Sequence, residues 1–125
     1  MKVADSSYIV EGILRRKELL EEDVLITIEL ALYETVNAIW KHQFLIKDLD
    51  DGRPYVSILY GLIDSGRIRV IRPGEELMVR GYFLAAKTGR SIYDAIFIAL
   101  ALELTSDLAT FDKRQAELLR REIGE

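Results

Sequence analysis

Four acids stand where this sequence could do chemistry. Asp5 ends the short apolar run Lys2-Val3-Ala4, and Asp112 ends Leu108-Ala109-Thr110-Phe111. Glu34 lies inside an otherwise apolar segment, and Asp94 follows Ser91 by three residues. Carboxylates brought within a few ångströms repel one another, and without a counter-cation some must protonate or move apart. Divalent Mg2+ or Mn2+ resolves that conflict, because these hard cations take oxygen ligands and Mg2+ keeps several waters. An ion held this way can generate hydroxide, orient it in line with a phosphodiester and stabilise the leaving oxygen. If the four acids converge, the chemistry they suit is metal-dependent hydrolysis of a phosphate ester.

Each acid also has a plainer reading. Asp5 could cap the helix opened by Ser6-Ser7, where negative charge is favourable. Ser91 to Asp94 has capping-box spacing. Glu34 could share a water-facing stripe with Asn37 and Lys41, and Asp112 could cap the last helix. Lys113 and Arg114 speak against that last reading, since cations are disfavoured at a helix amino terminus. They make better sense beside a dense negative cluster or a phosphate. Convergence accounts for all four acids at once. In an open α/β sheet the ligand crevice lies outside the carboxyl ends of the strands, and the helices that follow begin beside it. The run Asp48-Leu49-Asp50-Asp51 reads instead as a solvated helix entrance, and Asp107 as a turn residue at the opposite edge.

The elements that must position these acids follow from hydrophobic periodicity. Residues 2–5, 24–28, 67–71 and 108–111 read as short buried strands, rich in Val, Ile and Leu. Helices are expected over 6–14, 29–44, from an opening stretch at 48–54 to an end at Gly66, 75–87 closed by Gly89, 92–104 and 113–122. The charged stretch 15–23 reads as a solvated continuation or a short helix with Leu19 and Leu20 tucked in. Apolar residues surround nearly the whole circumference of 29–44, which predicts burial on more than one side. Strands alternating with helices make an α/β protein with a parallel sheet.

Composition narrows the class. With 125 residues, half of them apolar, the chain suits one domain with a real core. It has no cysteine and a single histidine, His42, which excludes thiol nucleophiles and multi-histidine zinc sites. A net charge of −4 argues against a generic nucleic-acid binder held by counterion release, yet allows a carboxylate-rich site. No apolar run approaches a bilayer span and no signal peptide is visible, so a soluble cytoplasmic protein is expected.

In their order and spacing, four motifs resemble the PIN-domain ribonucleases, and more narrowly the VapC-type toxins of toxin–antitoxin pairs. They are Asp5-Ser6-Ser7, Tyr33-Glu34-Thr35-Val36-Asn37-Ala38, Tyr93-Asp94-Ala95-Ile96-Phe97-Ile98-Ala99-Leu100-Ala101 and Thr110-Phe111-Asp112-Lys113. The similarity spans essentially the whole chain, and the Tyr-Asp-Ala helix is its sharpest part. It implies one PIN domain over 1–125, a three-layer α/β/α sandwich around a parallel sheet of four strands, or five where a strand follows the last helix. It implies a ribonuclease that binds one or two Mg2+ or Mn2+ ions per chain on Asp5, Glu34, Asp94 and Asp112. Ser6, Thr110 and Asn37 would support those acids. An RNA substrate, an antitoxin and a homodimer are the partners it implies, with no membrane. The other readings are a PIN-fold RNA-processing nuclease without an antitoxin, and a non-catalytic metal-binding or phosphate-signalling module. An adjacent acid after strand one, as a signalling receiver needs, is missing, because Ser6 and Ser7 stand there.

An acidic protein that cuts RNA must still hold phosphates locally. Lys41, Lys87, Arg90, Lys113 and Arg114 are the cations nearest in sequence to the acids and are the candidates for that contact.

Overall fold

The computed structural model describes residues 1–124. Its chain order is β1 (Lys2–Ala4), α1 (Ser6–Leu14), a 3-10 turn (Lys17–Leu20), β2 (Leu25–Ile28), α2 (Leu30–Lys41), a wider π-type turn (His42–Ile46) and α3 (Arg53–Asp64). Then come β3 (Ile68–Ile71), α4 (Glu75–Thr88), α5 (Ile92–Glu103), β4 (Leu108–Ala109) and α6 (Lys113–Glu122). The strands form one parallel sheet in the order β3-β2-β1-β4. The chain steps outward from β1 through β2 to β3, then crosses back to lay β4 on the other side of β1. The resulting topological switch lies between β1 and β4, where an open α/β sheet leaves its crevice.

Two helical layers sandwich the sheet. α1, α2 and α3 pack on one another, and α5 packs against α4, α6 and β1. The core runs from Val3 and Ala4 of β1 through Ile9, Leu25, Leu59 and Ile68 to the α5 run Ala95–Ala101, all buried. A strand covered on both faces reads as a continuous apolar run, as β1 and β2 do. The buried Thr27 hydroxyl donates to the Ala4 carbonyl at 2.7 Å, fastening β2 to β1 beside the crevice. Among the described residues the sheet has four strands, and no helix is long and apolar enough to cross a membrane.

Two expectations change. β4 stops at Ala109 rather than running to Phe111. The Phe111 N–H leaves the ladder to donate to Ser7 Oγ at 2.9 Å, which bends the chain toward the end of β1. α2 is buried on one face only, through Ala31, Thr35 and Ile39 at four-residue spacing. Tyr33 is 74% exposed and Trp40 47%, so the apolar circumference reflects an uncovered face rather than a second buried one. The acid run before α3 is absorbed locally: Asp48 pairs with His42 at 2.8 Å, and Asp51 with Arg53 at 2.9 Å.

Candidate active site

Asp5 is 6% exposed at the carboxyl end of the central strand. Its Oδ1 accepts the Ser7 hydroxyl at 2.6 Å and the Tyr8 N–H at 3.3 Å, so it does cap α1. Its Oδ2 accepts the Thr110 hydroxyl. The β1–β4 register, Val3 against Leu108 and Ala4 against Ala109, sets Asp5 level with Thr110. Thr110 Oγ1 in turn accepts the Asp112 N–H at 3.0 Å. Ser7 and Thr110 each give their single hydroxyl proton to Asp5, so the 3.3 Å between their oxygens is a contact and not a further bond. Capping and crevice are therefore two functions of one carboxylate, not rival readings.

Burial is the main cause that pushes the Asp5 carboxyl above the usual range. The Ser7 and Thr110 hydroxyls and the Tyr8 N–H oppose it, and the nearby charge of Asp112 adds to it. Glu34, half-buried in the second turn of α2, is also raised. Burial is the largest cause, the neighbouring Ser6 hydroxyl offsets part, and the charges of Asp5 and Asp94 push it further. Desolvation and like charge thus act together on two acids that come from different elements.

Asp94 lies in the first turn of α5, whose amino terminus is capped by Ser91 through the Asp94 N–H at 3.3 Å. Asp112 caps α6, accepting the N–H groups of Arg114 at 2.9 Å and Gln115 at 3.4 Å. The cations at positions 113 and 114 do not prevent this cap, because the carboxylate itself satisfies the helix amino terminus ahead of them. Between these two acids sits Arg90, delivered by the left-handed Gly89 (φ 74°) that ends α4. One guanidinium nitrogen lies 3.1 Å from Asp94 and 3.9 Å from Asp112. The same nitrogen lies 3.4 Å from the Gln115 side-chain oxygen, while Gln115 Nε2 donates to the Asp94 carbonyl at 3.0 Å.

The four acids are therefore linked around one crevice. Thr110 joins Asp5 to Asp112, Arg90 joins Asp112 to Asp94, and Glu34 feels both Asp94 and Asp5. Among the described residues no three carboxylates already stand at ligand spacing. The donors are all carboxylate or hydroxyl oxygens, which matches a hard divalent cation and no softer metal.

Other expected residues fall elsewhere. Asn37 is exposed and lines a groove of about 730 Å³ between α2 and α3, with Tyr33, Val36, Trp40 and Tyr60. Lys41 and Lys113 are exposed. Lys87 pairs with Glu122 at 3.0 Å. Arg114 borders a groove of about 480 Å³ with Lys87, Arg90 and Arg121, and Arg90 reaches from it to the acids. Ser7, Gln115 and the pairing role of Arg90 escaped the sequence reading. The signals were present: Asp112 to Gln115 has capping-box spacing, and Arg90 and Asp94 are four apart, as neighbours on a helix face are.

Comparison with known proteins agrees with this geometry. The PIN domain family matches residues 2–120. Over 93 residues the chain is 30% identical to Ribonuclease VapC3 of Pyrobaculum aerophilum, covering 73% of this chain and 68% of that protein. The crystal structure of PAE2754 from Pyrobaculum aerophilum superposes with a TM-score of 0.74 at 20% identity, over 99% of this chain and 96% of its own. Mycobacterium tuberculosis VapC20, a sarcin–ricin loop cleaving toxin, superposes with a TM-score of 0.69 at 18% identity, over 94% of each chain. At such identities the two solved structures speak for the fold, and the family match and the curated relative speak for descent. The chain belongs to the PIN-domain family and, within it, to the VapC-type ribonucleases.

Proposed function

We propose that this protein is a Mg2+- or Mn2+-dependent endoribonuclease and the toxin of a toxin–antitoxin pair. The observation that carries the reading is the chain of contacts beside the β1–β4 switch point: Thr110 links Asp5 to Asp112 and Arg90 links Asp112 to Asp94, with Asp5 and Glu34 both raised by burial and like charge. A cluster of this kind is relieved by a hard cation, and its oxygen-only donors fit one. Asp5, Glu34, Asp94 and Asp112 would hold the ion, which when bound supplies charge to the oxyanions of a phosphodiester displacement and lowers the pKa of water. Ser7 and Thr110 fix both oxygens of Asp5, so its free lone pairs keep one orientation toward the crevice. The Ser6 hydroxyl offsets part of the burial cost of the Glu34 carboxylate.

The partners expected of such a toxin have surfaces to use. Trp40 near the end of α2, Phe44, Leu45 and Ile46 in the π-type turn after it, and Met78, Val79, Tyr82 and Phe83 on α4 are all exposed. Contiguous exposed apolar faces mark interfaces, and two of them suit a homodimer that also receives an antitoxin in the cytoplasm. The deciding experiment is cleavage of structured RNA by the purified protein with and without Mg2+, alongside Asp5→Asn. Metal-dependent cleavage that is lost in Asp5→Asn supports the reading. Cleavage unchanged by EDTA, or retained in Asp5→Asn, defeats it.

A further inference from the structure

Among the described residues Arg90 is the one cation that pairs with two of the four acids, and its setting is unlike that of the surface ion pairs. Its side chain is 17% exposed, whereas the arginines of the Glu76–Arg80 and Glu117–Arg121 pairs are 52% and 70% exposed. Its Nε is buried and has no hydrogen-bond partner. The guanidinium's contacts are therefore made through a terminal nitrogen, with the Nε left unpaired. What it meets is charge: Asp94 at 3.1 Å and Asp112 at 3.9 Å, from two different helices, through one nitrogen. Gln115, 2% exposed, closes the seat with its oxygen toward Arg90 and its nitrogen on the Asp94 carbonyl. Gly89 fixes the approach, because its φ of 74° is one that other residues adopt only under strain.

The acid cluster is thus divided. Asp94 and Asp112 share a resident positive charge, whereas among the described residues neither Asp5 nor Glu34 forms an ion pair. Joining two carboxylates from separate elements through one positive centre is what a bridging metal ion does in a two-metal site.

We propose that the Arg90 guanidinium occupies the place of a second cation between Asp94 and Asp112, so that each chain takes a single divalent ion. The inference rests on the metal-dependent reading above and adds the count of ions and the residue that sets it. The charge that a two-metal nuclease recruits with its second ion is here part of the chain, held by Gln115.

The test is a Mn2+ titration of the full protein, followed by the EPR signal of free Mn2+ and checked by equilibrium dialysis. Wild type should bind one Mn2+ per chain. Arg90→Gln should bind two, and Arg90→Lys, which keeps the charge, should remain at one. In metal-free buffer Arg90→Gln should melt below wild type, and saturating Mn2+ should raise its Tm by more than it raises that of wild type. Two ions in wild type, or one in a folded Arg90→Gln, overturns the proposal and leaves the metal-dependent reading standing. No Mn2+ bound to wild type removes both. Should Arg90→Gln fail to fold, the wild-type and Arg90→Lys counts decide, since two ions in either contradicts a resident charge in that place.

Discussion

Thr110 gives its hydroxyl proton to Asp5 across 105 positions of sequence, and the same oxygen accepts the Asp112 N–H. A single side chain therefore couples the acid at the end of β1 to the acid after β4. Thr110→Val keeps the shape and deletes both bonds. Removing one ordinary intramolecular hydrogen bond costs about 1 kcal/mol, more when a charged partner is left short of donors. The variant should fold with a loss of about 1–2 kcal/mol in urea denaturation. It should also bind Mn2+ more weakly by calorimetry, because Asp5 loses the donor that orients it. Unchanged Mn2+ affinity would confine Thr110 to a structural role.

The pH dependence of stability should carry the sign of an acid whose folded pKa is raised. Glu34 and Asp5 hold protons more tightly in the folded state than in the unfolded one. Their penalty is absent below the unfolded carboxylate range. It grows as pH rises through the folded value and is complete above it. Glu34→Gln removes its share, so wild-type stability minus that of the variant should fall as pH rises from about 4 toward neutrality. Saturating Mg2+ should flatten or reverse the trend. Paired urea titrations at several pH values decide it, and a pH-independent difference without metal would sink the assignment.

Much of this was legible in the sequence because it depends on local pattern. The apolar runs ending in Asp5 and Asp112 announce parallel strands that deliver acids, and Gly66 and Gly89, both at positive φ, end helices where expected. What pattern could not supply was partnership. The apolar girth of α2 looks the same whether its second face meets the sheet or lies bare, and Tyr33 and Trp40 turn out to be bare. Arg90 reads as one of several candidate phosphate contacts, and its pairing with the acids shows only when the fold brings α6 beside it, because Asp112 and Gln115 are more than twenty residues away. The cap readings of Asp5 and Asp112 set alternatives against each other that the structure unites, since a helix amino terminus and a strand end meet at the same point.

The uncovered face of α2 leads to a prediction about assembly. Trp40 and Phe44 lie with ring centroids 5.9 Å apart, 47% and 53% exposed, beside the α2–α3 groove. The residues that seat α2 on the core, Ala31, Thr35 and Ile39, point elsewhere. Trp40→Glu should therefore leave the melting profile of the isolated fold intact while placing a charge in any apolar interface built on this face. Light scattering at micromolar concentration should show a dimer for wild type and a monomer for the variant. A wild-type monomer would remove the dimer, and a dimeric Trp40→Glu would move it to the α4 face of Tyr82 and Phe83.

The last prediction concerns how an acidic protein holds RNA. The groove between the end of α4 and α6 gathers Lys87, Arg90, Arg114 and Arg121, and it opens onto the acids through Arg90. Within it Lys87 pairs with Glu122, Arg121 with Glu117, and Arg90 with Asp94 and Asp112. Exposed pairs such as the first two contribute little and can exchange a carboxylate for a phosphate. Arg114 is exposed at the groove next to Asp112, which makes it the better probe of phosphate binding than Arg90. Neutralising Arg114 and Arg121 together should weaken RNA binding in Ca2+. It should also reduce the slope of log K against log salt by about one for each phosphate that is no longer neutralised. Mn2+ affinity should stay near that of wild type, because neither side chain touches Asp5 or Glu34 in the hydrogen-bond pattern of the site. If affinity and slope both match wild type, these arginines are solvated charge and the RNA follows another face, with Lys41 on α2 the next residue to neutralise.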